Sequence, residues 1–208
     1  MKVGGEVYAL DSTSGSFSYL LAGDHRLLID TSMPGRYAKI IAELATLGVA
    51  PDSLNGIVLT HHDIDHIGNA QALKTASGAP LWASAEDRPY IQGQRHRPGI
   101  KRVVEMLMKA TPTHVDHVFS DVPLGDLVAI ATPGHTPGHT VFLYDDILFA
   151  GDLVIERHGR LLPSPGIMTS DRLALRASLK AVGRLEFTWV CPAHGVPVRR
   201  GSLWDAWT

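Results

Sequence analysis

Short apolar runs that end at polar residues recur along the chain, and they predict alternating strands and helices. Residues 6–10 and 17–22 alternate between apolar and polar positions, which is typical of strands. After Pro34 and Gly35, apolar residues recur at the spacing of one helix face as far as Gly48, a suitable C-terminal cap. The other elements predicted in this half are strands at 26–30, 56–60 and 80–83 and a short helix at 67–76. Strands alternating with helices predict a layered α/β fold.

The second half repeats this pattern after a more basic segment. A hairpin is predicted where Asp145 and Asp146 separate two apolar runs. Asp171 is placed to begin a helix over 171–182. The other elements predicted here are strands near 114–119, 126–132 and 186–190, and a loop and amphipathic helix over 84–112 that lie on the surface.

The basic residues at 88–102 leave two interpretations open. A run of charges usually forms a solvated helix face. Alternatively, the segment is a lid on which Arg95 and Arg97 bind a carboxylate or phosphate of the substrate. Arginine suits that task because its guanidinium donates two parallel hydrogen bonds.

Composition narrows the class of protein. A chain of 208 residues with 45% hydrophobic and 19% charged residues predicts one globular domain over residues 1–208. A net charge of −2 gives no broad attraction to nucleic acid or to an anionic membrane, so we expect a small-molecule substrate, with a homodimer left open. No stretch approaches the roughly 20 apolar residues of a membrane helix. A single cysteine and an N-terminus without an apolar leader predict a cytoplasmic location.

The segment Thr60–Gly68 is the densest in chemical groups. His61, Asp63, Asp65 and His66 follow directly on an apolar run that is predicted to be a buried strand. Imidazole nitrogens and carboxylate oxygens are donors that suit zinc and divalent iron or manganese. A polar loop would instead draw on Gly, Asn and Ser. The segment therefore predicts a metal site.

Three later segments also place a polar residue after an apolar strand. His135, Asp152 and His194 each lie among Gly and Pro residues, which permit sharp turns and close backbone approach. Loops that follow neighbouring strands converge on one edge of a sheet. These residues and the Thr60–Gly68 segment are therefore expected to form one site.

The ordered set His61-x-Asp63-x-Asp65-His66, then His135, Asp152 and His194, resembles the metallo-β-lactamase superfamily. The resemblance covers nearly the whole chain, and the chain is most similar to glyoxalase II and its relatives. Because the chain is short, a lactonase-like activity is an equal alternative. The resemblance implies a four-layer αβ/βα sandwich. It also implies a dinuclear hydrolase in which a metal-bridging hydroxide attacks a thioester, lactone or ester.

The same resemblance implies a site that binds two divalent ions, and it implies the residues that bind them. Zinc is the first expectation for these ions, and iron or manganese are the alternatives. One ion would be bound by His61, Asp63 and His135, and the other by Asp65, His66 and His194. Asp152 would bridge the two ions. Asp65 would also be catalytic, because it is placed to orient the attacking water or to take its proton. Two residues are expected to support the ligands rather than bind metal, namely Asp30 and His139.

Two departures from the family pattern affect the expected chemistry. The family usually has His where this chain has Asp63, and a carboxylate there makes the site neutral and favours harder ions. Flavodiiron proteins also place a carboxylate at this position, so a di-iron oxidoreductase stays an alternative. Many β-lactamases of the superfamily have Cys where this chain has Asp152, which lowers the expectation of lactam hydrolysis. Phosphodiester hydrolysis and a non-catalytic relative also stay open. His62 is expected to be a loop residue and not a ligand.

Overall fold

The first sheet begins the chain and delivers the ligand-bearing loop. In the computed structural model, which describes residues 1–120 and 124–207, its seven strands lie side by side in chain order. They are β1 Lys2–Gly4, β2 Val7–Ala9, β3 Tyr19–Leu21, β4 Leu27–Ile29, β5 Gly56–Val58, β6 Leu81–Ala83 and β7 His117–Val118. Strands β4, β5, β6 and β7 are parallel to one another. The loops after β4 and β5 therefore leave at the same edge.

The second sheet has five strands in the order β14-β13-β10-β9-β8. They are β8 Val128–Ala131, β9 Thr140–Tyr144, β10 Ile147–Gly151, β13 Trp189–Pro192 and β14 Val198–Arg199. Because β10 and β13 are parallel, Asp152 and His194 follow these strands at one edge. A separate hairpin lies between them in sequence, with strands β11 Val154–Arg157 and β12 Arg160–Pro163.

The described residues also form six α-helices: α1 Tyr37–Thr46, α2 Ile64–Ile67, α3 Ala70–Ser77, α4 Arg88–Ile91, α5 Ile100–Leu107 and α6 Arg172–Gly183. No helix among the described residues is long and apolar enough to cross a membrane.

Three apolar clusters define the layers. The first joins one face of the first sheet to α1 and α3, as Leu28 and Leu44 illustrate. The second lies between the two sheets and contains Ile29 and Phe149. The third joins the second sheet to α6 and includes Leu179. Side chains alternate across a strand, so each sheet buries both of its faces. The order helix, sheet, sheet, helix is the predicted αβ/βα sandwich.

Most predicted elements are observed, often one or two residues shorter. The hairpin around Asp145 and Asp146 is present with Ile147 opposite Tyr144. Asp171 caps α6 by accepting hydrogen bonds from the backbone N–H groups of Leu173 and Ala174. The sequence did not predict α2, β1, β14 or the β11–β12 hairpin. The helix predicted at 67–76 begins only at Ala70.

Helix α5, in the basic segment, exposes apolar side chains and buries a charged one, which is the reverse of the usual amphipathic arrangement. Within α5, Val103 and Leu107 are exposed by 48% and 79%, whereas Lys101 is buried. Arg97, in the loop before α5, is buried as well. The interpretation of residues 88–102 as a solvated face is therefore wrong for these two side chains.

Candidate metal centre

The loop after β5 carries four of the predicted ligands, and hydrogen bonds to Asp30 fix its start. The backbone N–H of Thr60 donates to Asp30 Oδ1 at 2.8 Å, and the Thr60 hydroxyl donates to Oδ2 at 2.7 Å. The chain stays extended at Asp63 and then turns into α2. His61 thus projects from before the turn and His66 from within the helix, and their ring centroids lie 3.9 Å apart.

The structure brings six predicted ligands together as two groups. In each group the potential ligand atoms all lie within 4.8 Å of one another. The first group is His61, His135 and Asp152, and the second is Asp65, His66 and His194. The first group is buried and the second is partly exposed. The second group is therefore the side that faces solvent.

Asp152 lies between the two groups. Its Oδ2 is 3.4 Å from His135 Nε2 in the first group. Its Oδ1 is 3.4 Å from both His66 Nε2 and His194 Nε2 in the second group. One carboxylate thus presents a different oxygen to each group, which is the arrangement that a bridging ligand needs.

The four imidazoles share one orientation, with Nδ1 held by the protein and Nε2 directed to the centre. The Nδ1 distances are 3.0 Å from His61 to Thr60 Oγ1, 2.8 Å from His66 to Asp30 Oδ2, 2.7 Å from His135 to Ser164 Oγ and 2.6 Å from His194 to Gly15 O. Partners of this kind fix the ring and its tautomer in metal sites. Ser164 and the Gly15 carbonyl were not foreseen from the sequence.

Several buried polar atoms at the centre make no hydrogen bond within the described part of the chain. They include His61 Nε2, His66 Nε2 and Asp152 Oδ1. Buried polar atoms are almost always satisfied, so orphaned donors that converge on one point call for a ligand. Nitrogen and oxygen donors in these numbers fit divalent zinc, iron or manganese. The residues present therefore fit a pair of divalent ions.

The carboxylates dominate the electrostatics of the second group. Burial alone would lower the pKa of His194, but the Asp152 carboxylate outweighs burial and raises that pKa to about 10. In the first group, burial and the neighbouring His66 hold the pKa of His61 well below its usual range. The second group thus attracts positive charge, while His61 stays neutral and able to bind a metal.

Asp63 lies beside the first group but has another partner. Its Oδ2 is 2.9 Å from His135 Nε2 and 3.6 Å from His61 Nε2. The same oxygen is only 2.6 Å from the ammonium nitrogen of Lys101. Asp63 belongs to neither group of mutually close ligand atoms. Whether it binds metal stays a prediction, and Lys101 is a residue that the sequence did not indicate.

Asp87 is a second unforeseen residue, and it joins two ligand-bearing loops. Its buried carboxylate accepts hydrogen bonds from the His62 N–H at 3.0 Å, the Gly138 N–H at 2.8 Å and the Thr136 hydroxyl at 2.8 Å. The His62 ring lies with Nδ1 3.0 Å from Asp87 and stacks on Tyr90. His62 is outside both groups; its backbone N–H donates to Asp87 and its ring stacks on Tyr90.

His139 supports Asp152 from behind. Its Nε2 accepts the backbone N–H of Asp152 at 3.0 Å, and its Nδ1 lies 2.8 Å from Thr132 Oγ1. Burial lowers the pKa of His139 to about 3, so the ring is neutral. Gly151, at a φ of 49°, makes this approach possible, because a Cβ there would lie 2.9 Å from His139 Nε2.

A sequence model of the metallo-beta-lactamase superfamily matches residues 12–194. The chain belongs to this superfamily. It is 29% identical over 204 residues to the probable metallo-hydrolase YflN of Bacillus subtilis, covering 83% of this chain and 76% of that protein. It is also 29% identical over 181 residues to a hydroxyacylglutathione hydrolase of a Shewanella species, covering 83% of this chain and 61% of that protein.

Solved structures of the superfamily share the fold. A Cronobacter sakazakii metallo-β-lactamase with a HARLDQ motif matches with a TM-score of 0.74 at 22% identity, over 93% of this chain and 79% of that one. The archaeal superfamily protein ST1585 from Sulfolobus tokodaii matches with a TM-score of 0.72 at 20% identity, over 98% and 85%. The predictions of family and fold are confirmed, and the relatives support the prediction of a hydrolase.

Arg95 and Arg97, which the sequence suggested as substrate contacts, differ in their surroundings. Arg97 is buried, donates from Nε and Nη2 to the carbonyl of His62, and lies 3.3 Å from Glu105. Arg95 is exposed, and its guanidinium carbon lies 6.0 Å from the centre of the Tyr90 ring. Arg97 therefore holds the ligand loop in place, whereas Arg95 has a free approach to solvent.

Proposed function

We propose that the chain is a metal-dependent hydrolase that uses two divalent ions, zinc first, to cleave an ester-like carbonyl in a thioester, lactone or ester. The observation that carries the proposal is Asp152, whose two oxygens face two separate groups of ligands. His61 and His135 would bind one ion with Asp152. Asp65, His66 and His194 would bind the other.

Ions bound there would acidify a water molecule near neutral pH and polarise the substrate carbonyl. The protein contributes position and proton transfer. The Asp65 side chain is 29% exposed, against 9% for Asp152, the other carboxylate of the two groups, and its Oδ2 lies 3.2 Å from His194 Nε2. We assign Asp65 the role of orienting the attacking water or taking its proton, because it combines contact with the site and access to solvent.

A cavity of about 220 Å³ beside the first group suits the substrate's acyl part. Its lining includes Lys101, Ile100 and Ile167, together with Pro98 and Gly99. The hydroxyacylglutathione hydrolase relatives favour a thioester. The matched region spans 61% of the Shewanella protein, and a lactone or a simple ester stays an equal alternative to a thioester.

The first test is metal content, measured by plasma mass spectrometry on protein purified without a metal-binding tag. We expect about two ions per chain, and then hydrolysis by zinc-loaded protein across thioesters, lactones and esters, with lactams and phosphodiesters as comparisons. Chelator-treated protein is the control. Failure to bind any ion after reloading, or no hydrolysis by the loaded protein, would overturn the proposal.

Arg95 can be tested separately from Arg97 because only Arg97 also holds the ligand loop. If Arg95 binds an anionic substrate, Arg95→Ala should raise KM for that substrate and leave kcat unchanged. The exposed Arg88, in the same segment, supplies the matched control Arg88→Ala. An unchanged KM would remove Arg95 from the substrate site.

A further inference from the structure

Lys101 is a buried cation at the edge of the first ligand group. Its side chain is only 5% exposed, and its ammonium nitrogen lies 2.6 Å from Asp63 Oδ2. It also donates to the carbonyl of His135 at 3.3 Å and lies 3.2 Å from His135 Nε2. A buried charge is tolerated only when it is paired and hydrogen-bonded. Lys101 and Asp63 therefore act as one unit.

The two oxygens of Asp63 have different surroundings. Oδ2, the oxygen nearest His61 and His135, is the one that Lys101 holds. Oδ1 makes no hydrogen bond within the described part of the chain, and His62 Nε2, which is in neither ligand group, lies 3.7 Å from it. When His135 Nε2 binds an ion, Lys101 still keeps two acceptors, Asp63 Oδ2 and His135 O.

We propose that Lys101 is a specificity-determining residue that keeps Asp63 from ligating a metal. The first group then holds its ion with His61, His135 and Asp152 alone, and more weakly than the second group holds its own. The second group has three ligands besides the shared oxygen of Asp152. This inference rests on the proposed dinuclear site and deepens it.

The charges of the pair give the test its design. Asp63 and Lys101 together are neutral, so replacing both with neutral residues of similar size leaves the charge beside the first group unchanged. Replacing Lys101 alone frees a carboxylate next to His61 and His135. A negative oxygen donor added there should strengthen ion binding roughly ten-fold or more.

The measurement is a titration of metal-free protein with zinc against a chromophoric chelator, with ion stoichiometry from plasma mass spectrometry. We expect two unequal steps in the wild type. Lys101→Met should tighten the weaker step about ten-fold or more, and the double variant Lys101→Met with Asp63→Asn should return it to within about three-fold of wild type. His194→Ala identifies the step that belongs to the second group.

Lys74→Met is the matched control. Lys74 also forms an ion pair, with its ammonium nitrogen 2.5 Å from Asp116 Oδ2, but this pair is not beside the proposed metal ligands. It should leave both steps unchanged. If the double variant weakens the first group's step ten-fold or more, Asp63 is a ligand and the inference is wrong. The same holds if Lys101→Met leaves that step unchanged. If the wild type binds no ion, the proposed function fails with it. If the wild type binds two ions, a negative result in the variants contradicts only the inference on Lys101 and Asp63, and the proposed dinuclear site stands.

Discussion

Replacing Asp87 with alanine should destabilise the protein by about 3–4 kcal/mol. The buried carboxylate accepts three hydrogen bonds of 2.8–3.0 Å, from the His62 N–H, the Gly138 N–H and the Thr136 hydroxyl. Hydrogen bonds to a charged group contribute about 1.5–3 kcal/mol each, and the donors left behind stay buried. Removing a buried charge recovers part of the loss, because its desolvation is relieved.

This loss is large against a typical total stability of about 5–15 kcal/mol. For a protein of this length, 1 kcal/mol corresponds to a shift of about 2–4 °C in Tm, so Asp87→Ala should lower Tm by about 10 °C. Asp87 joins the loop of His62 to the loop of Thr136, which carry ligands of both proposed ions. Ion retention should therefore fall as well.

The assay is thermal unfolding by circular dichroism, with and without chelator, followed by metal analysis. Glu86→Ala is the matched control, since Glu86 is the preceding residue and is exposed. It should stay within about 0.5 kcal/mol of wild type. A Tm for Asp87→Ala within about 3 °C of that control would refute the argument that this carboxylate holds the two loops together.

Three further predictions concern the same region. Burial raises the pKa of Asp87, but hydrogen bonds from His62, Thr136 and Gly138 outweigh it and lower that pKa. The ionised Asp87 carboxylate therefore stabilises the fold fully above its pKa in the unfolded chain, about 3.9, and this stabilisation is lost as the pH falls below that value. Between about pH 5 and pH 3, the Tm of the wild type should fall further than the Tm of Asp87→Asn. Asp152→Ala should lose at least one ion and the activity; plasma mass spectrometry that still finds both ions would contradict the bridging role. His62→Ala should keep its ions while losing stability, and an emptied site would show that the ligand assignment is wrong.

The ligand-bearing edges could be predicted from sequence because their signal is local. Each of His61, Asp152 and His194 follows a short apolar run, and such runs form strands whether or not distant residues are known. Parallel neighbours then leave the sheet at the same edge, which brings the side chains together. The short helix α2 was not foreseen, since a single turn at Ile64–Ile67 leaves no periodic pattern to detect.

Lys101 and Asp87 could not be predicted in the same way, because their partners are distant in sequence. Lys101 lies 38 positions from Asp63, and Asp87 lies 25 from the His62 N–H that it accepts. No spacing rule connects such pairs. A lysine in a basic, amphipathic segment is typical of a solvated face. What buries Lys101 is the packing of α5 over the ligand loop, and that depends on the whole fold.

Lys101 also changes the expected charge of the site. Counted from the ligands alone, a carboxylate at position 63 in place of the family's usual histidine removes one positive charge, which favoured harder ions. The Lys101 ammonium at 2.6 Å restores that charge, since an Asp–Lys pair is neutral just as an imidazole is. The net charge around the ions then equals that of a site with histidine at position 63. The argument from charge for manganese or iron thus loses its premise, and zinc stays the ion that we propose first.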